Sequence, residues 1–309
     1  MSRQTDVILD LCRTLPPTRT AIVHPVKPNV IEAAEEAARE RLIVPVLVGP
    51  AARITAAAKE ASVDIAGWEI VDTEHSHAAA AKAAELAASH HVGAIMKGSL
   101  HTDELLGAIV RADSGLRTER RISHCYLMSI GSYPKPFIIT DAAVNILPEL
   151  LVKADIVQNA VDLWRVVFGD ERPAKVAVLA AVETVNPKMQ ATLDAAALCK
   201  MADRRQITDC LIDGPLAFDN AINVEAAREK GIVSQVAGDA DILVVPDIEA
   251  GNMLAKQLTF LGGAEAAGIV LGARVPVILT SRADNERARL LSAALAVLLA
   301  DARAKGRLK

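Results

Sequence analysis

The sequence predicts an α/β fold arranged as two domains, each built on a mostly parallel sheet. Three observations carry this. Short apolar, β-branched runs alternate with stretches of helical spacing along most of the chain, the pattern of right-handed βαβ units. At 309 residues the chain exceeds what one hydrophobic core usually serves. Apolar residues make up 51% of it and aromatics only 3%, so Ala, Leu, Ile and Val must build the core, and small side chains suit close packing of helix on sheet.

Taken in order, residues 2–14 read as an opening helix and 20–24 as a short strand stopped by Pro25. Asn29 is placed to cap a helix over 30–41. A strand over 42–48 is broken off by Gly49-Pro50, a helix follows over 51–61, and 68–71 is a strand. Ser76 is the expected cap of an Ala-rich helix reaching 91; the strand 92–96 ends in Lys97-Gly98-Ser99-Leu100-His101-Thr102-Asp103 and leads to a helix over 104–111. The rhythm then changes. Two strands, 122–130 and 137–140, flank a Gly131-Ser-Tyr-Pro-Lys-Pro turn and read as an antiparallel hairpin. A long helix runs over 147–168, with Pro148 near its start. Alternation resumes with a strand at 176–182, a helix at 187–203, a strand at 207–212, a helix at 220–230, a strand at 241–245 and a helix to 261. Strands at 267–271 and 275–279 precede a closing helix from about 284. The domain boundary is drawn at the hairpin, so that 1–143 with 285–309 form the first domain and 144–284 the second.

Composition excludes several functions. A net charge of −4 argues against nucleic acid or an anionic membrane as the main partner. Cys12, Cys125, Cys199 and Cys210 lie far apart with no C-x-x-C pair, which fits reduced thiols in a cytoplasmic protein and marks no nucleophile. The first residues do not read as a signal peptide, and no apolar run approaches the ~18–20 residues that span a bilayer. Gly262-Gly263-Ala-Glu-Ala-Ala-Gly268 follows a helix and precedes a strand, the reverse of a dinucleotide fingerprint. There is neither a P-loop nor a G-x-S-x-G elbow. His75, His77, His90 and His91 sit at helix ends without a carboxylate cluster, so no metal site is expected.

The chemistry concentrates where strands end. The clusters at 97–102, 141–145, 183–188, 247–252 and 280–284 all follow predicted strands, and parallel strands end on one edge, where open α/β sheets bind ligands. The hinge Thr280-Ser281-Arg282-Ala283-Asp284 joins a buried strand to a helix start, bringing hydroxyls and a guanidinium to free amide N–H groups. Two readings of it stand: a phosphate site, or simple capping of the helix by Ser281 or Asp284. Leu116-Arg117-Thr118-Glu119-Arg120-Arg121 is likewise either a clamp for a phosphorylated ligand or a solvated charged loop.

Pro246-Asp-Ile-Glu-Ala-Gly-Asn252, Gly268-Ile-Val-Leu-Gly-Ala273, Pro276-Val-Ile-Leu-Thr-Ser-Arg-Ala-Asp284, Glu183-Thr-Val-Asn-Pro-Lys-Met189, Asp213-Gly-Pro-Leu-Ala-Phe-Asp-Asn220 and the Lys97–Thr102 run together resemble the phosphate acetyltransferase and phosphate butyryltransferase family, the phosphotransacylases. The likeness spans nearly the whole chain and leans to the butyryl branch. It implies two α/β/α domains with mostly parallel sheets and an interdomain cleft, in the manner of isocitrate and isopropylmalate dehydrogenases, and a homodimer. It implies transfer of an acetyl or butyryl group between coenzyme A and inorganic phosphate to give an acyl phosphate. Coenzyme A is then a substrate, and no cofactor, metal or covalent enzyme intermediate is expected. By the same resemblance Arg282 binds the transferring phosphate and Ser281 stabilises the developing charge. The acetyl branch carries an aspartate base two turns beyond that serine; this chain has Ala288 there, and Asp284 is the nearest candidate in its place. Thr280, Lys97, His101, Thr102, Arg117, Arg120, Arg121, Asn145, Lys188 and Asn252 complete the expected substrate-binding set. Ala288 also keeps open a non-catalytic module that binds coenzyme A or acyl phosphate. A metal- and NAD-dependent oxidative decarboxylase of related fold would need acidic metal ligands that the sequence does not group.

Overall fold

The computed structural model describes residues 4–279 and 285–308. The expected phosphate hinge, with Thr280, Ser281, Arg282 and Asp284, lies outside the described residues. The chain begins α1 (Asp6–Cys12), β1 (Thr18–Val23), α2 (Pro28–Arg39), β2 (Ile43–Gly49), α3 (Ala51–Ala61), β3 (Glu69–Asp72), α4 (Ser76–Ala88), β4 (Ala94–Lys97) and α5 (Thr102–Val110). It continues with β5 (Ser123–Ser129), β6 (Phe137–Thr140), α6 (Leu150–Phe168), β7 (Ala174–Leu179), α7 (Gln190–Asp203), β8 (Cys210–Leu216), α8 (Phe218–Ile222), α9 (Val224–Glu229), β9 (Ile242–Val244) and α10 (Ile248–Phe260). It closes with β10 (Glu265–Leu271), β11 (Val277–Ile278) and α11 (Glu286–Ala304).

Internal contacts divide the chain into two compact units, Asp6–Arg120 with Ala267–Lys309, and Arg121–Ala266 with Met1–Thr5. In the first unit the strand order is β3-β2-β1-β4-β11-β10. All pairings are parallel except β10 with β11, which meet antiparallel at Val270 and Val277. Ala21, Ile22 and Val23 are fully buried, the near-continuous apolar run of a strand covered on both faces. Ala79, Ala80, Ala83, Ala84 and Ala87 give α4 a buried stripe of methyl groups at helical spacing, which lets it pack closely on β1 and β2. The middle of α11, Leu291 to Leu299, is buried, and α1 and α2 pack against this helix.

The second unit has the order β5-β6-β9-β7-β8. β5 and β6 form the antiparallel hairpin that the turn residues predict; the other pairings are parallel. Met128, Phe137, Ile139, Leu243 and Val245 share one core with Tyr133, whose hydroxyl donates to the Ala240 carbonyl at 2.7 Å. Burial pushes the Tyr133 hydroxyl pKa upward. Between α6 and α7, the buried Lys153 ammonium meets Asp194 at 2.7 Å.

The contact boundaries, after residues 120 and 266, differ from those drawn at 143 and 284. Pairing explains the difference. The hairpin joins the second unit because β6 lies parallel to β9, and β11 joins the first because it lies parallel to β4. Caps differ too. Lys27 stands at the N-cap of α2 with Pro28 opening the helix, so Asn29 is not the cap. His75, not Ser76, caps α4, its Nδ1 accepting from the Ala78 N–H at 3.1 Å. The long helix opens at Leu150 rather than 147, leaving Ile146 and Leu147 exposed.

Candidate active site

In the first unit the parallel strands deliver β1 to His24 and β4 to Lys97-Gly98-Ser99 on the same edge. Gly98 is required there: a Cβ would stand 2.2 Å from the Val23 carbonyl oxygen. The close approach lets the Ser99 N–H donate to the His24 carbonyl at 3.0 Å. His24 has left-handed backbone, φ 54°, which His, Asn and Asp tolerate better than most residues. Its ring turns onto the Ser99 carbonyl, with Nδ1 3.1 Å from the oxygen. A carbonyl only accepts, so the proton is assigned to Nδ1 and the lone pair to Nε2. That Nε2 is buried and has no partner; nor has Ser99 Oγ, nor Thr73 Oγ1 just beyond β3. Glu104 Oε2, in the first turn of α5, is also buried and makes no hydrogen bond, with His77 Nδ1 3.9 Å away. Each such group costs about 1–3 kcal/mol if left dry. His101 stands at the N-cap of α5 without a capping bond, so the first-turn N–H groups after it, from Thr102 onward, have no side-chain cap. Lys97 is half-buried at the end of β4 and His101 is exposed.

In the second unit the edge is organised by Asp141, which is 2% exposed. Its carboxylate accepts from the N–H groups of Ala143, Val144 and Asn145 at 3.0–3.1 Å, and from Asn145 Nδ2 at 2.6 Å. Asn145 Nδ2 also donates to the Ile122 carbonyl at 2.9 Å. From α10, Asn252 Nδ2 donates to the Ala142 carbonyl at 3.1 Å. Gly251 permits this approach, since a Cβ there would meet Val245 Cγ2 at 2.7 Å and the Asp141 carbonyl at 2.9 Å. Asn145 and Asn252 therefore converge on one loop, and their amides hold its shape. Farther along this edge Lys230 Nζ lies 3.1 Å from Glu183 and holds that carboxyl below its usual range. Asn220, fully buried, reaches Glu183 through Nδ2 at 3.5 Å and keeps an unpartnered Oδ1. Lys188 is exposed, with its backbone N–H on Asn186 Oδ1 at 3.0 Å. His124, the second residue of β5, lies beside the end of β6; its buried Nδ1 has no partner, and burial drops its pKa to about 3.

The basic cluster is divided. Arg117 and Arg120 fall in the first unit and Arg121 in the second. Its backbone is pinned on both sides: Arg117 bridges Ala273, Thr118 Oγ1 donates to the Gly272 carbonyl at 2.6 Å, and Arg121 bonds Asp155 and Asn159 of α6 through its N–H and carbonyl. A freely solvated loop would have none of these ties. Next to the hinge, Ile278 of β11 pairs with Met96 of β4. The cap of α11 is Asn285, whose Oδ1 accepts from the Ala288 N–H at 2.8 Å. One group escaped the sequence reading: Glu36, buried on α2, hydrogen-bonds Glu286 in the first turn of α11, and burial with that bond pushes its carboxyl up to about 7. No local pattern announces the pairing of helices so distant in sequence. Among the described residues, no cluster of three or more His, Cys, Asp or Glu could hold a metal ion, and no helix is long and apolar enough to cross a membrane.

Sequence comparison decides the family: the profile described as phosphate acetyl/butaryl transferase matches residues 77–297. The chain belongs to this family. Among curated family members, phosphate acetyltransferase of Rickettsia felis is 59% identical over 91% of this chain and 80% of its own length. Phosphate butyryltransferase of Clostridium beijerinckii is 39% identical over 97% of this chain and 99% of its own. The crystal structure of a branched-chain phosphotransacylase from Enterococcus faecalis V583 superposes with a TM-score of 0.78 at 29% identity, covering 91% of this chain and 99% of that one. Both branches are thus represented. Identity is higher with the acetyltransferase than with the butyryltransferase, whereas the motifs alone lean to butyryl. The likeness to the phosphotransacylase fold also supports the mixed α/β, mostly parallel architecture.

Proposed function

We propose that this protein catalyses reversible transfer of a short acyl group between coenzyme A and inorganic phosphate, forming an acyl phosphate, and that acetyl is its preferred group. The observation that carries the reaction is family membership, with 59% identity to a phosphate acetyltransferase over most of the chain. The choice of acetyl rests on that identity exceeding the 39% found with a butyryltransferase.

The two substrates are anions that must meet at a carbonyl carbon, so the work is positioning and stabilising charge on the acyl oxygen. In this reading Arg282 grips the transferring phosphate, Ser281 donates to the developing oxyanion, Asp284 is a third catalytic group and Thr280 serves the phosphate. Lys97, His101, Thr102, Arg117, Arg120, Arg121 and Lys188 serve the phosphate and coenzyme anions, while Asn145 and Asn252 act by holding the Asp141 loop. Coenzyme A enters as a substrate, with no metal or further cofactor. We place the protein in the cytoplasm as a homodimer of the dehydrogenase-like fold, without nucleic-acid partners, in keeping with its net charge of −4.

The test is loss of thioester from acetyl-, propionyl- and butyryl-CoA, with and without phosphate, while hydroxylamine traps acyl phosphate. Phosphate-dependent loss, fastest with acetyl-CoA, is expected. Fastest turnover of butyryl-CoA would overturn the choice of acyl group, and coenzyme A binding with no turnover of any thioester would make the protein a binding module.

A further inference from the structure

We propose that His24 is the proton acceptor of the reaction, taking through Nε2 the thiol proton of coenzyme A in one direction and a phosphate hydroxyl proton in the other. This rests on the acyl-transfer reading above and adds a residue to it.

Three observations meet at this nitrogen. The residue is 6% exposed, and Nε2 has no hydrogen-bond partner. Its other nitrogen is fixed on the Ser99 carbonyl at 3.1 Å, which selects the neutral tautomer with the proton on Nδ1 and the lone pair on Nε2. The partner that this tautomer lacks is a donor. The ring also stands on the ligand-binding edge of the first unit, where β1 and β4 end together and Gly98 keeps the backbone clear of any Cβ. Unpartnered buried polar atoms are exceptions in folded proteins. Here several gather on one edge: His24 Nε2, Ser99 Oγ and Thr73 Oγ1. Both nucleophiles of the reaction bring an acidic hydrogen, S–H or P–O–H, and either matches an imidazole lone pair. Ala288, at the position of the acetyl branch's aspartate, has no group that could serve.

The step balances. The thiol S–H breaks and its proton passes to Nε2 as the sulfur pair bonds to the acyl carbon. The bond from that carbon to the phosphate oxygen breaks, leaving its pair on oxygen. The imidazolium then gives its proton to the departing phosphate and returns to its starting form. Reversal carries the proton from phosphate to thiolate.

His24→Asn separates this from a structural role. An Asn amide can still donate to the Ser99 carbonyl and tolerates the left-handed backbone, but offers no basic nitrogen. We expect kcat for acyl phosphate plus coenzyme A to fall on the order of 100- to 10,000-fold with KM for coenzyme A little changed. The residual rate should rise about tenfold per pH unit, because only thiolate formed in solution still reacts. A variant with wild-type kcat and pH profile overturns the proposal. An independent readout uses the unaltered protein with 15N-labelled histidine. Coenzyme A should move the Nε2 resonance of His24, and an analogue lacking the sulfhydryl should not; a resonance that ignores coenzyme A overturns it. Wild-type protein showing no phosphate-dependent transfer overturns the acyl-transfer reading as well, whereas active wild type with unimpaired His24→Asn overturns only the role of His24.

Discussion

Both edges of the second unit's sheet pair their buried carboxylate, Asp241 on one and Asp141 on the other, but among the described residues the two edges differ in whether other buried polar atoms have partners. On the edge where parallel strands begin, Asp241 is fully buried and fully partnered. Arg172 grips it through Nη1 at 2.5 Å and Nη2 at 2.9 Å, Lys135 Nζ lies at 2.6 Å, and the Lys175 N–H donates at 2.8 Å. Where the strands end, Asn220 Oδ1 and His124 Nδ1 are buried and lack partners. The first unit repeats the second half of this pattern at His24, Ser99 and Thr73. A sheet edge that only has to be stable pairs its buried charges, because an unpaired one costs several kcal/mol. On the proposed reading, the edge that binds substrate holds polar atoms in reserve. Their cost in stability is met elsewhere in the fold, and ligand-binding residues end up where strand ends deliver them.

The sharpest way to break this comparison pairs a substitution at the proposed phosphate-binding arginine with one on the strand-start edge, each read for both stability and rate. Arg282→Ala should lower kcat on the order of 100- to 1,000-fold with the melting temperature unchanged, the scale of losing one charge-stabilising donor; steady-state kinetics beside calorimetry checks both halves. Asp241→Ala should do the reverse. It removes the acceptor for Arg172 and Lys135, and urea denaturation should show a loss of about 3 kcal/mol, the low end for a broken buried pair because Arg172 remains half-exposed and solvated. The folded fraction should keep its kcat.

His124 sharpens the comparison through pH. Burial lowers its folded pKa to about 3, while an unfolded imidazole protonates near 6.5. The unfolded chain therefore binds the extra proton first as pH falls. Stability from this group is complete above roughly pH 6.5 and drops by about 1.4 kcal/mol per unit from there toward 3. Subtracting a His124→Gln denaturation series from the wild-type series should isolate that slope; parallel curves would show that the ring is not shielded. Smallest is Asn252→Ala. It frees the Ala142 carbonyl from its 3.1 Å bond and should cost about 1 kcal/mol in stability, with a modest rise in KM as the Asp141 loop loosens.

Much of this was legible in the sequence. Alternating apolar runs mark the strands, and Gly131 to Pro136 marks the hairpin turn between β5 and β6, because these features depend on local chemistry. The strand-end clusters follow from the same spacing. What the sequence hid depends on partners far along the chain. The hairpin belongs to the second unit only because β6 finds β9, about a hundred residues on. His24 reads as the residue before a proline until Ser99, 75 positions away, fixes its ring. Glu36 looks like a solvent-facing helix residue until Glu286 arrives beside it. Capping misled for a different reason: Asn29 and Ser76 have the favoured chemistry, but Pro28 and the His75 ring already occupy those helix starts.

The most direct test of the contrast between edges is amide hydrogen exchange, with and without saturating coenzyme A and phosphate. We expect slower exchange in the strand-end loops, 97–103 and 183–190, and no change in the strand-start segments, 172–176 and 239–242. Protection confined to the strand-start segments, or absent from both, would contradict the assignment of function to the strand-end edge.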